Sequence, residues 1–256
     1  MPEVSTAVLL CVAAALAGWV DAVSGGGGLI QLPALLLALP GAAPASILGT
    51  NKLSSVCGTA VATATYYRRV RPDMRTALPM VVAAVIGSAG GAACASLLPQ
   101  SVFRPLVLVL LVAVAIYTVR RPALGAEQNL RWSGHRHYAA AVGAALGIGF
   151  YDGIFGPGTG SFLTFALVGL LGYSFLQASA KARMTNLATN AGALIVFFAQ
   201  GAPMVRLGLT MGVCNVAGAW LGAHTAITRG SRFVRVVFLT VVGGLAIRLA
   251  YDVLAN

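Results

Sequence analysis

Apolar runs of roughly 18 or more residues recur along this chain. That is the length a helix needs to cross a bilayer core about 30 Å thick. A water-soluble domain carries about a quarter charged residues, whereas only 9% are charged here and 58% are hydrophobic. The runs are continuous and do not alternate between apolar and polar positions, which excludes a membrane β-barrel. The sequence therefore predicts an all-α polytopic membrane protein.

Two of the runs are interrupted in the same way. "GWVDAVSGGGG" at 18–28 recurs as "GFYDGIFGPGTG" at 149–160, aligning Asp21 with Asp152 and Gly25 with Gly156. Farther on, "ILGTNKLSSVCGTA" at 47–60 matches "ARMTNLATNAGALI" at 182–195, which pairs Thr50-Asn51 with Thr185-Asn186. Each half divides into five hydrophobic segments. They run over 5–23, 29–39, 46–67, 74–97 and 102–119, and over 138–154, 161–172, 181–200, 205–227 and 234–253. The second segment of each half is too short for a full crossing at about 1.5 Å per residue, so it is expected to be broken or re-entrant, giving 8–10 membrane helices. This predicts a first membrane repeat over 1–119, a cytoplasmic linker over 120–137 and a second membrane repeat over 138–256.

The net charge of +11 is gathered in short basic stretches at 68–75, 120–137 and 229–235. Cytoplasmic loops carry such an excess of Lys and Arg, and with no separate basic domain or aromatic reading surface, nucleic acid is not an expected partner. Placing these stretches in the cytoplasm, with Lys181 and Arg183, puts thirteen of the seventeen basic residues inside. Both termini are then extracytoplasmic, and the two halves run antiparallel as an inverted repeat, a plan found in many secondary transporters. The first segment lacks a basic flank and a small-residue cleavage site, so it is expected to be a retained helix. Cys11, Cys57, Cys94 and Cys214 are isolated in apolar segments. No metal-ligand spacing is seen, and His135, His137 and His224 read as interface residues. Neither a metal nor a cofactor is expected.

The motifs "GWVDAVSGGGGLIQLPALL", "LGTNKLSSVCGTAVATATYYRR", "GFYDGIFGPGTGSF" and "KARMTNLATNAGALIVF" together resemble the TauE/SafE sulfite exporter family, in its branch of probable membrane transporters. The resemblance spans nearly the whole chain. It implies a carrier of the bacterial inner membrane that handles sulfite, organosulfonates or other small sulfur-containing anions.

The residues themselves point to where a solute would bind. Glycine costs a helix about 1 kcal/mol per residue relative to alanine and proline about 3. Broken backbone at membrane depth survives only inside protein or beside a water-filled cavity. Helix N-termini after such breaks favour anions. The backbones of Gly25, Gly26, Gly27 and Gly28, and of Gly156, Gly158 and Thr159, are therefore candidate anion contacts, against the alternative of tight helix packing. Thr50, Asn51, Thr185, Asn186 and Asn190 add hydroxyl and amide groups. Lys52 is a cation within an apolar run, read either as an anion contact or as a structural pair with Asp21. Arg183 either assists from the other half or anchors the topology. Asp21 and Asp152 either cap the broken helices or carry a coupled proton.

These features predict a secondary transporter of small anions working by alternating access, embedded in lipid, with a proton as a candidate coupling ion. Its homo-oligomeric state is left open. No catalytic cluster suggests an enzyme. An anion channel or a non-transporting membrane component is the alternative.

Overall fold

A computed structural model describes residues 4–39, 41–95 and 128–254, and every regular element among them is helical. The segment expected over 102–119, Arg104 and the first part of the linker lie outside the described residues. In chain order the elements are α1 (Val4–Ser24), α2 (Gly28–Ala38), α3 (Pro44–Val70), α4 (Met74–Cys94), α5 (Gly134–Ile154), α6 (Thr159–Ala166), α7 (Phe175–Ala199) and α8 (Val205–Leu254). A π-helical turn over Leu167–Leu171 extends α6.

Local chemistry sets these boundaries. Pro44 occupies the first turn of α3, where a missing amide hydrogen costs nothing. The Asp73 carboxylate caps α4 by accepting from the amides of Arg75 at 3.0 Å and Thr76 at 3.2 Å. Partial burial draws the Asp73 carboxyl upward, but hydrogen bonds from Thr76 and Arg75 and the Lys181 charge outweigh it and hold it below the ordinary carboxylate value. The sequence places α5 after a linker ending at 137, yet the helix starts at Gly134 and buries His137 against Tyr173, with Nε2 and Oη 2.9 Å apart. His137 is therefore an interior residue of the bundle. The segments expected at 205–227 and 234–253 are the two parts of α8, which meet at Gly230, where the backbone is not helical (φ 71°, ψ −170°), so one residue within the basic stretch separates them.

Two described helices are long and apolar enough to span a membrane, Ser5–Ser24 and Met74–Cys94, with mean hydropathies of 2.0 and 1.8. The helices α3 and α7 are diluted by polar residues, and those residues point inward. Lys52, Asn51, Asp152, Lys181, Arg183, Asn186 and Asn190 are all buried, while Leu9, Ile86, Ile195 and Val213 are exposed. A polar interior beneath an apolar exterior is the distribution that suits a lipid environment.

Helices α1 and α8 pack at backbone distance, as do α4 and α5. A Cβ on Gly218 would run into the carbonyl oxygen of Ala15, and one on Gly222 would stand 2.5 Å from that of Trp19. Small residues at such crossings let helix backbones touch and gain dispersion contacts where lipid offers no hydrophobic drive. Gly218→Ala is expected to destabilise the protein by about 1–3 kcal/mol through overpacking. The check is a lower melting temperature of the purified protein in detergent, and an unchanged one would count against this packing.

Two of the basic stretches, 68–75 and the described part of 120–137, come together through the α6–α7 turn and Lys181. The Lys181 Nζ donates to the carbonyl of Asp73 at 2.7 Å. The amides of Asn129 and Arg131 donate to the carbonyls of Gly172 and Leu171 at 2.8 and 3.0 Å. These contacts join the α3–α4 turn, the chain before α5 and the α6–α7 turn at one end of the bundle.

Candidate functional site

The first break begins where α1 stops at Ser24. Gly25 turns the chain with φ of +87°, a region that favours glycine, and its amide closes on the Asp21 carbonyl at 2.8 Å. The Gly27 amide donates to Asp21 Oδ1 at 3.4 Å, so Asp21 holds the start of α2 as well as the end of α1. The second break begins after Ile154. Gly156 (φ +91°) and Gly158 (φ +82°) reverse the chain into α6. Thr159 Oγ1 donates to Asp152 Oδ1 at 2.6 Å. Asp21 thus accepts from a backbone amide of its own break, whereas Asp152 accepts from the Thr159 side chain.

The two breaks touch. The Ser161 amide donates to the Gly25 carbonyl at 3.2 Å, and Ser161 Oγ donates to the Ser24 carbonyl at 2.8 Å. A Cβ on Gly25 would collide with the backbone of Gly160 and Ser161, and one on Gly28 would stand 3.3 Å from Pro157 Cα. Glycine at position 25 is thus needed twice, for its dihedral angle and for this approach.

A cavity of about 20 Å³ lies at the junction, lined by Asp21, Gly25, Gly28, Asn51, Lys52, Ser55, Gly156, Gly160, Asn186 and Asn190. Space of this size holds about one water, so the conformation is closed to any larger solute. Both short helices begin at its wall, each with the partial positive charge of a helix N-terminus. Among the described residues, Asn51 Oδ1 is buried without a hydrogen-bond partner.

Of the residues singled out in the sequence, Asp21, Gly25, Gly28, Asn51, Lys52, Gly156, Asn186 and Asn190 meet at this cavity. Others are engaged elsewhere. Thr50 Oγ1 donates to the Ser46 carbonyl at 2.6 Å and accepts from the Met204 amide at 2.9 Å, tying α3 to the α7–α8 turn. Thr185 Oγ1 donates within its own helix to the Lys181 carbonyl at 3.0 Å. The Thr159 hydroxyl is taken by Asp152, and its amide by the Gly156 carbonyl at 3.3 Å. Gly26, Gly27 and Gly158 shape the turns without lining the cavity.

One charge pairing differs from expectation. Lys52 pairs with Asp152 and not with Asp21, its Nζ 2.5 Å from Oδ2, with both side chains almost fully buried. The alignment of the halves could not choose between the two acids, because Lys52 has no counterpart cation at the matching position. Arg183 is wholly buried, its Nη1 2.5 Å from where a Gly160 Cβ would stand. Sequence reasoning missed Ser55 and Gly160, and also Gln31, which accepts from Asn215 Nδ2 at 2.9 Å and joins α2 to α8. The signal for Gln31 was available: it is the lone polar side chain of α2.

A second, larger cavity of about 380 Å³ shares no residue with the first. Asp73, Thr76, Arg131, His137 and Tyr173 are among its lining residues, at the end where those two basic stretches meet. It is more open and remote from both breaks. The size of an open recess alone does not make it the binding site.

The chain is similar in sequence to known proteins over almost its full length. Residues 10–249 match the family described as Sulfite exporter TauE/SafE. A Sinorhizobium sp protein named probable membrane transporter protein ORF9 is 38% identical over 244 residues, covering 95% of this chain and 92% of the relative. The probable membrane transporter protein YfcA of Escherichia coli K12 is 33% identical over 239 residues, covering 93% and 87%. A probable membrane transporter protein of Haemophilus influenzae is 32% identical over 246 residues, covering 96% and 94%. No solved structure matches the chain. With a family match over almost its full length and relatives above 30% identity across it, the chain belongs to the TauE/SafE sulfite exporter family.

Proposed function

We propose that this protein is a secondary transporter of small anions, specifically sulfur-containing ones of the sulfite, organosulfonate or thiosulfate type. It sits in the bacterial inner membrane with its basic stretches cytoplasmic and both termini outside. Two inverted halves of five segments each, 1–119 and 138–256, rock against one another around a fixed site. The observation that carries the reading is the junction of the two glycine breaks at a buried, polar cavity. In each half a long helix, a glycine break and a short helix (α1–α2 and α5–α6) precede a helix bearing a Thr-Asn pair (α3 and α7). Backbone amides at the breaks and the side-chain amides of Asn51, Asn186 and Asn190 supply donors suited to an oxoanion. Because the cavity is too small for such a guest, binding requires the Ser161–Gly25 and Ser161–Ser24 contacts to part.

Flux of labelled sulfite, methanesulfonate and thiosulfate into proteoliposomes tests this reading. Saturable, protein-dependent flux with counterflow is expected. Flux that neither saturates nor shows counterflow indicates a channel, and none with any of the three anions removes the substrate assignment.

A further inference from the structure

Arg183 is wholly buried, and among the described residues none of its Nε, Nη1 and Nη2 atoms finds a hydrogen-bond acceptor in good geometry. Two other buried cations are engaged: Lys52 is closed on Asp152, and Lys181 is bound to the Asp73 carbonyl with that carboxylate 3.9 Å away. A guanidinium with five donors and no acceptor is among the least favourable groups to leave unpaired inside a protein. The Tyr66 hydroxyl faces Arg183 and its oxygen can accept from the guanidinium while it gives its hydrogen to the Ala22 carbonyl at 3.0 Å, but it has no charge to offer. Among the charges around Asp21, Arg183 acts on it more strongly than Asp152 or Lys52 does, but no hydrogen bond joins them.

The position is as telling as the missing partner. The guanidinium lies against Gly160, whose lack of a side chain makes room for it, and Gly160 in turn abuts Gly25. It therefore stands behind the point where the two breaks meet. Gly160 also lines the cavity with Asn51, Asn186 and Asn190, so only this glycine stands between the guanidinium and that space.

We infer that Arg183 supplies the counter-charge for the transported anion, and that its planar fork selects oxoanions offering two oxygens over single-atom anions. This inference rests on the transporter reading above. Lys52, neutralised by Asp152, is left with a structural role in this scheme. A guanidinium binds two oxygens of one sulfur-centred group through parallel hydrogen bonds, geometry that a halide cannot satisfy. No covalent bond is made or broken; the anion arrives from one side of the membrane and leaves on the other.

The test compares wild type, Arg183→Gln and Arg183→Lys in proteoliposome flux and in thermal unfolding, with sulfite, methanesulfonate and chloride as probes. Arg183→Gln is expected to raise the KM for sulfite and methanesulfonate roughly 10- to 100-fold. It should also abolish the rise in melting temperature that these anions give wild type. Arg183→Lys should retain some flux but lose preference for sulfite over chloride. Should Arg183→Gln not fold, loss of that preference in Arg183→Lys decides the matter, and an unaltered preference overturns the inference. An Arg183→Gln protein with wild-type KM and an undiminished anion-induced shift also overturns it. Absence of flux and of any anion-induced shift in wild type overturns the transporter reading first, and this assignment with it.

Discussion

Replacing Lys52 by Met alone is expected to destabilise the protein by about 3–5 kcal/mol, because it leaves the Asp152 carboxylate buried without its cation. The pair joins α3 to the end of α5, and both side chains are nearly inaccessible. Desolvation makes each charge expensive by itself, so the single removals Lys52→Met and Asp152→Asn should both be severe. The double variant should recover most of the loss. In Asp152→Asn the side chain is neutral and keeps an acceptor oxygen for Thr159 Oγ1, which donates to Asp152 at 2.6 Å. Unfolding in detergent, arranged as a double-mutant cycle, measures this. A double variant as unstable as the sum of the singles would show that the two groups act independently.

The helical class and most helix positions were legible because they follow from hydrophobic run length and from glycine and proline, which act locally. The boundaries that moved are those set by contacts distant in sequence. His137 reads as a loop residue because it follows Arg131, Trp132 and Arg136, yet it is drawn inside by Tyr173 and Thr76 from two other elements. At Gly230 a single residue with positive φ redirects the chain. In the sequence that feature looks the same as a short polar loop, because the arginines flanking it mark a charged stretch under either geometry.

The candidate site was readable where the two halves repeat and opaque where they do not. Asp21 with Asp152, Gly25 with Gly156, and Asn51 with Asn186 stand at matching positions, and the fold brings all six to one junction. Lys52 and Arg183 have no such counterparts: Leu187 and Leu48 stand at the equivalent places when the 135-residue offset of the Thr-Asn pairs is applied. Lys52 and Arg183 thus stand outside the repeat, and repeat logic cannot say which acid each one faces. That choice is made by packing, which sets Lys52 on the acid of the other half and leaves Arg183 behind Gly160.

Asp21→Asn is expected to leave the fold intact while removing any dependence of anion flux on an imposed pH gradient. Asp152 is held by Lys52 and Thr159 Oγ1, whereas the Asp21 carboxylate accepts one long hydrogen bond, from the Gly27 amide at 3.4 Å. An Asn side chain still offers an oxygen to that amide, so the loss of capping should stay below about 1 kcal/mol. Among the described residues, the charged and titratable groups around Asp21 are Arg183, Asp152, Lys52 and Tyr66. If an anion settles on Arg183, it and the Asp21 carboxylate share one cation in a medium of low dielectric, an arrangement that a proton on Asp21 relieves. Proton and anion would then move together, and Asn, being neutral at every pH, would uncouple them. Flux into proteoliposomes with and without an inward proton gradient distinguishes the cases. Gradient-driven accumulation that persists unchanged in Asp21→Asn places the coupling elsewhere.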